Sequence, residues 1–276
     1  MRGSRERVTA VELTILGSGS SGNTSVLSTE RTRLLLDAGL SKRETQKRLE
    51  GAGLSAGRLT AILISHEHAD HAAHLAALAE EFAVPVYMSE GTREALAESQ
   101  ALDGLVAVES FRPGRSFVIG DIEVAPFVIP HDAREPVGFR FTAAGVKLAV
   151  AVDLGFLTHL VKEQLRECAA IVLEANHDLE MLRQGPYPWF IKQRVMSRLG
   201  HLSNDALAAF LEHDFDGAAR FFVLAHLSEN NNSPELARLA AQQALERRRG
   251  RFPLSLAASP ELLVTSQRAP LGPLHF

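Results

Sequence analysis

Four side chains able to ligate a metal fall within six residues at His66-Glu67-His68-Ala69-Asp70-His71, and the apolar run Thr60 to Ile64 leads straight into them. Imidazole and carboxylate packed this densely argue for a metal site. A strand that ends there carries the cluster on a loop at its carboxyl end, where open sheets present their chemistry. Four ligands so close in sequence cannot all reach one tetrahedral ion without strain, so two ions are expected, His66 and His68 on one, Asp70 and His71 on the other. Further ligands should then stand at other strand ends. His131 follows the strand 123–130, Asp153 follows 146–152, and His226 follows 221–225. Singly, each reads as a surface or hydrogen-bonded residue. Jointly, behind the first cluster, they complete a set of five His and two Asp, with Asp153 expected to bridge.

The charge of such a site favours an anionic substrate. Two divalent ions carry +4, and two carboxylates and a hydroxide reduce this to about +1. Paired ions about 3.5–4 Å apart lower the pKa of bound water and stabilise charge on a phosphoryl oxygen, the logic of metal-assisted hydrolysis. The cofactors expected are therefore two divalent ions. Imidazole and carboxylate suit zinc, manganese or iron, and ligand type does not choose among them. Asp37, after the strand Leu34–Leu36, is placed to orient a ligand His. Glu67 lies between ligands and should point away from the metals.

The elements that must position these residues alternate hairpins with helices. Short strands are expected at 11–16, 24–27, 34–36 and 60–64, with a capping box at Ser41-x-x-Glu44 opening a helix that Gly51 closes. Residues 72–82 read as a helix, 84–88 as a strand and 90–98 as a helix. Two hairpins follow, 116–119 with 122–128 around Gly120-Asp121, and 137–142 with 146–152 around Ala143-Ala144-Gly145. Helices at 158–167, 205–212 and 234–249 alternate with strands at 169–173 and 221–225, and one more strand is expected at 262–265. This order predicts an α/β (α+β) chain built as a four-layer αββα sandwich of two mixed sheets, rather than a doubly wound parallel sheet. Residues 8–266 are expected to form a single domain, with 267–276 as a C-terminal tail.

Composition sets the outer bounds. At 276 residues and 46% hydrophobic content the chain can bury a sizeable core. A net charge of -4 gives no general polyanion signal, so any nucleic-acid contact must be local. The lone Cys168 excludes an intrachain disulfide. Residues 1–7 are charged but lack a following apolar h-region, and no apolar run is long enough to span a membrane. The expectation is a cytoplasmic protein with no membrane partner.

The ligand order His-x-His-x-Asp-His, then His131, Asp153 and His226, resembles the metallo-β-lactamase fold of dinuclear hydrolases. The segments Leu16–Asn23 (LGSGSSGN), Glu174–Asp178 (EANHD), Gly185–Trp189 (GPYPW), Gly200–Asn204 (GHLSN) and Ala225–Asn231 (AHLSENN) are similar to the bacterial YycJ (WalJ) branch, and the resemblance covers nearly the whole chain. It implies the αββα sandwich with a site at one sheet edge, and a 5′-to-3′ exonuclease on double-stranded DNA. In related RNA-processing nucleases a Gly-His-Ser segment carries a His that serves the leaving oxygen, and His201 occupies the matching position. The catalytic candidates are thus Asp70 and His201. Many members have Gly where this chain has His74, which is read as a helix-surface residue.

Substrate contacts are expected around His201. From Met181 to Asn204 there is no acidic residue, while Arg183, Lys192, Arg194 and Arg198 give +4 beside Tyr187, Trp189 and Phe190. Cations interleaved with aromatics can contact phosphates and stack on bases. The competing reading makes the aromatics core and the charges a solvated face. Arg194, His177, Ser203 and Asn230 are the substrate-binding candidates. Arg247 to Arg251 reads as cations suited to a helix C-terminus. The rival function is a small-molecule hydrolase of a thioester, lactone or β-lactam, since those enzymes share the ligand set. A homo-oligomer is compatible with the sequence.

Overall fold

Strands β1 (Glu12–Gly17), β2 (Thr24–Ser28) and β3 (Arg33–Leu36) form an antiparallel meander. β4 (Ala61–Leu63), β5 (Val86–Ser89) and β6 (Val108–Phe111) then add in parallel, because each return passes through helix. Those returns are α1 (Lys42–Gly51), the pair α2 (Ala69–Ala72) and α3 (Leu75–Phe82), and α4 (Glu90–Glu98). The chain is described here at residues 11–99, 101, 102, 105, 107–251 and 259–276 by a computed structural model. Residues 8–10 of the expected domain and 252–258 lie outside the described residues.

The second sheet follows the same plan. β7 (Phe117–Ile119), β8 (Ile122–Val128), β9 (Val137–Ala143) and β10 (Val146–Ala151) are antiparallel neighbours. The β9–β10 turn has positive φ at both Ala144 and Gly145, the twist that a two-residue hairpin needs. β11 (Ala170–Glu174), β12 (Phe221–Ala225) and β13 (Glu261–Val264) add in parallel. Their returns carry α5 (His159–Gln164), then α6 (Leu179–Gln184), α7 (Trp189–Val195) and α8 (Asn204–His213), then α9 (Pro234–Arg251).

The chain ends on β14 (Leu271–His275), which crosses back to the first sheet and pairs antiparallel with β1, Glu12 opposite His275 and Leu13 opposite Leu274. Residues 267–276 are therefore more than the tail that sequence suggests. Gly272 and Pro273 break the apolar pattern there, but an edge strand tolerates both. Among the described residues the sheets, each of seven strands, run β14-β1-β2-β3-β4-β5-β6 and β13-β12-β11-β10-β9-β8-β7.

Side-chain alternation sorts the core into layers. Leu34 and Leu36 face the other sheet with Leu63, Phe139, Phe141, Val172 and Val223, whereas Leu35 and Ile62 face outward onto Leu49, Leu75 and Leu78 of the helices. Ile171, Leu173, Phe222 and Leu224 turn to the opposite helical layer, against Val161, Leu207, Phe210 and Leu211. These three apolar layers make the αββα sandwich. The helix expected at 72–82 is broken at His74, whose backbone N–H donates to Ala38 O (3.0 Å) instead of continuing the helical ladder. That bond ties the loop after β3 to the cluster after β4. Among the described residues no helix is long and apolar enough to cross a membrane.

Candidate metal centre

All the strand ends that carry candidate ligands open on one edge of the sandwich. Three residues there hold positive φ without being glycine: Asp37 (61°) after β3, Asp153 (59°) after β10 and His226 (54°) after β12. The left-handed region is unfavourable for a side-chain-bearing residue and survives only where the surroundings impose it. Here it turns each side chain back across the strand end toward a common centre. Gly39 makes the approach possible on the first-sheet side, because a Cβ at that position would lie 1.8 Å from Asp70 O.

The seven expected ligands come together. His66, His68 and His131 offer nitrogens within 4.8 Å of one another, as do the ligand atoms of Asp70, His71 and His226, and of His66, His71 and Asp153. These groups overlap: His66 stands with His68 in one and with His71 in another, and a fourth gathers Asp153, Glu174, His201 and His226.

Four of the imidazoles are held at Nδ1 and present Nε2. His66 Nδ1 meets Ser65 Oγ (3.0 Å), His71 Nδ1 meets Asp37 Oδ2 (2.8 Å), His131 Nδ1 meets Gly200 O (3.2 Å) and His226 Nδ1 meets Glu174 Oε1 (2.8 Å). His68 presents Nδ1, 3.2 Å from His131 Nε2. Anchoring one ring nitrogen on an acceptor settles the tautomer and aims the other, as metal-ligating histidines require. Among the described residues, His66 Nε2 and Asp153 Oδ2 are buried at this centre without a hydrogen-bond partner. Asp153 Oδ2 lies 2.6 Å from His71 Nε2 but without the alignment of a hydrogen bond. Orphaned buried polar atoms are costly. Donor atoms converging in this way fit divalent cations, so this set could hold two ions.

Glu174, fully buried at the end of β11, organises the far side of the centre. Its Oε1 accepts from Nδ1 of both His201 and His226 (2.8 Å each), and its Oε2 accepts from the backbone N–H of Leu154 (2.9 Å) and Leu202 (3.1 Å). Sequence reasoning assigns Glu174 no role. The available signal is an acid closing the otherwise apolar run Ala170–Leu173.

Charge reinforces the arrangement. Burial works against protonation of His201, but Glu174 and Asp153 outweigh it and raise the imidazole to about 11. Burial likewise opposes a charged His226, which Asp153, Asp70 and Glu174 nonetheless lift to about 9. Burial would raise Glu174, yet His201 and His226 hold it at about 2, and the same balance with His226 and His71 keeps Asp153 well below the usual carboxylate range. His66 is driven the other way, by burial and then by His71, which outweigh the opposing pull of Asp153.

The centre opens into a cleft of about 360 Å³ lined by Ser20, His68, Asp70, Asp132, Asp153, Ile191, Arg194, His201 and His226 among others. His201 is partly exposed there and, with Nδ1 held, has Nε2 to offer. Among the described residues Arg194 is the one Lys or Arg in the lining, its Nε 2.6 Å from Asp132 Oδ2. The remaining substrate candidates sit elsewhere. His177 is buried and does not line the cleft, its ring lowered to about 4 by burial. Ser203 caps α8, accepting from Ala206 N (3.1 Å). Asn230 lies on a neighbouring pocket and donates to Tyr187 Oη (3.2 Å). Glu67 points away from the centre and accepts from Arg134 N (2.7 Å). Asp37 does orient His71, and it also accepts from Ser65 N and Oγ.

Residues 32–227 match the family model described as a β-lactamase superfamily domain. The chain is 38% identical over 239 residues to an exodeoxyribonuclease YycJ of Bacillus anthracis, covering 86% of this chain and 89% of that one. It is 36% identical over 227 residues to an exodeoxyribonuclease WalJ of Streptococcus pneumoniae serotype 2 (82% and 84%). Among solved structures, the metallo-β-lactamase fold protein YhfI of Bacillus subtilis superposes with a TM-score of 0.70 at 17% identity, over 95% of this chain and 99% of that one, a likeness of fold.

Proposed function

The chain belongs to the β-lactamase superfamily, in its metallo-β-lactamase-fold YycJ (WalJ)-like branch, and from that premise we propose that it is a dinuclear metal-dependent exodeoxyribonuclease. In this reading His66, His68 and His131 hold one ion, Asp70, His71 and His226 hold the other, and Asp153 is shared. Zinc or manganese suits the donors, and iron is also compatible. The ions supply an activated water and charge stabilisation at phosphorus.

The chain's own residues do the rest. Arg194, held by Asp132 at the cleft wall, meets a phosphate oxygen. Glu174 keeps His201 protonated and its ring fixed, and Nε2–H donates to the leaving oxygen of the phosphodiester. General-acid help of this kind contributes typically 10²–10⁴-fold. The observation that carries the reading is the Glu174–His201 pair, which fixes an imidazole in the same cleft as the clustered ligands. The substrate class is supported by the two exodeoxyribonuclease relatives, which this chain matches along most of its length. Attack on double-stranded DNA from the 5′ end is the polarity proposed.

The test is a duplex labelled at either 5′ or 3′ end, run beside a chromogenic lactone and a thioester in zinc and in manganese. Progressive release from the 5′ end is expected. His201→Ala should lose about 10²-fold or more in kcat with metal content unchanged, and Asp153→Ala should lose turnover and metal together. Turnover of the lactone or thioester alone would assign the chain to small-molecule hydrolysis.

A further inference from the structure

The short helix α7 sets two large aromatic side chains in solvent beside the cleft. Trp189 is 62% exposed and Phe190 68% exposed, with Leu199 of the following turn also open to solvent. The sequence left open whether these aromatics are core, and the structure places them outside it. The same helix supplies Ile191, Arg194 and Val195 to the cleft wall. Phe190 stands four residues before Arg194, hence on the same flank one turn away, and Trp189 is at the helix tip about 7–8 Å along the axis from Arg194. That distance spans roughly two base steps of 3.4 Å.

The surroundings select the occupant. No acidic residue occurs from Met181 to Asn204. Lys192 is committed to Arg183 O and Arg198 lies over the Phe156 ring, which stiffens the segment and leaves its outer face aromatic and cationic. A face of that kind suits nucleobases carried on a phosphate backbone better than an apolar partner. At about 360 Å³ the cleft is at the lower end for small-ligand sites. If a duplex end opens as its phosphate enters so small a cleft, the bases released need a surface.

We propose that Phe190 and Trp189 form a stacking platform for the unpaired bases next to the scissile phosphate, so that the frayed end of the duplex is held along α7. This rests on the nuclease reading above and specifies how that site takes its substrate.

Trp189 is the only tryptophan, so its emission reports on stacking directly. Protein in EDTA is titrated with a hairpin duplex bearing a short single-stranded 5′ overhang. Saturable quenching is expected, Phe190→Ala should weaken binding about tenfold, and the double variant Trp189→Ala/Phe190→Ala by more, read by fluorescence anisotropy of labelled DNA. With metal restored, KM should rise while kcat at saturation holds. Both side chains are exposed, so thermal midpoints should match the wild type. Unchanged DNA affinity and KM in the double variant overturn the proposal. So does conversion of a dimer to a monomer with DNA affinity intact, which would assign the face to a second copy of the chain. If the wild type cleaves DNA and the double variant does so equally, only the platform falls. If the wild type neither binds nor cleaves DNA, the nuclease reading falls with it.

Discussion

Replacing Glu174 should damage stability and chemistry together, and in a defined order. The carboxylate is fully buried and accepts four hydrogen bonds, two from the imidazoles of His201 and His226 and two from the backbone of Leu154 and Leu202. Glu174→Ala removes every acceptor at once. Each orphaned buried donor costs about 1–3 kcal/mol, while loss of one partner from a buried charged cluster typically costs about 3–5 kcal/mol, so a loss near 4 kcal/mol is expected. For a domain of this size that lowers the thermal midpoint by roughly 8–16 °C. Glu174→Gln keeps the shape but turns one oxygen into a donor facing donors, either the two imidazoles or the two backbone N–H groups. It should cost about 2–3 kcal/mol.

The two variants separate positioning from folding. With its oxygen on the backbone N–H groups of Leu154 and Leu202, Gln should leave the protein folded at 25 °C while the ring of His201 loses its anchor. A fall of 10- to 100-fold in activity is expected, as for other residues that orient ligands. Urea unfolding of protein stripped of metal, at pH 7, gives the energies, and nuclease turnover and metal content give the rest. An alanine variant with the wild-type unfolding midpoint and turnover would refute the idea that this carboxylate organises the centre.

Two further expectations concern the same region. Ser203→Ala should cost about 1 kcal/mol through loss of the α8 cap while leaving KM for DNA unchanged, because its Oγ serves Ala206 N rather than the cleft; calorimetry and a KM measurement check both halves. In EDTA, stability should peak between about pH 4.5 and 6.5. Glu174 is depressed to about 2, so its contribution is complete above the ordinary carboxylate pKa and lost as pH falls toward 2. His226 and His201 are raised to about 9 and about 11, so theirs is complete below about 6.5 and lost as pH rises through those values. These are two views of one buried cluster and do not add. Thermal midpoints across pH 3–10 that stay flat would show that the cluster is not ion-paired.

Period and turn chemistry carried most of the fold. The runs at Leu34–Leu36 and Phe221–Ala225 are apolar on both faces because parallel strands are covered on both sides, and they are recognisable for that reason. The elements that escaped are those whose local pattern is weak. β14 contains Gly272 and Pro273 and exists through pairing with β1. β6 is a short edge strand with Glu109 and Ser110 in its middle. α6 and α7 are short and lie on either side of a Gly/Pro-rich turn, and the break at His74 depends on an acceptor, Ala38 O, that no local pattern reveals.

The site divides along the same line. Ligands are conspicuous because metal chemistry needs rare residue types and places them at strand ends, so His66 to His71, His131, Asp153 and His226 stand out one by one. What aims them does not. Asp37 is the exception, readable from its place after β3, whereas Glu174 acts through bonds to His201 and His226 on elements far along the chain, and at Ser203 a helix cap and a substrate contact would use the same hydroxyl. Burial is the quantity that separates these cases, and sequence reports it only through context. An acid that closes four apolar residues of a parallel strand is one such context: Glu174 can be ionised there only if several donors converge on it. That requirement, read forward, points to His201 and His226 as its partners, and it makes the anchoring carboxylate as diagnostic of this centre as the ligands themselves.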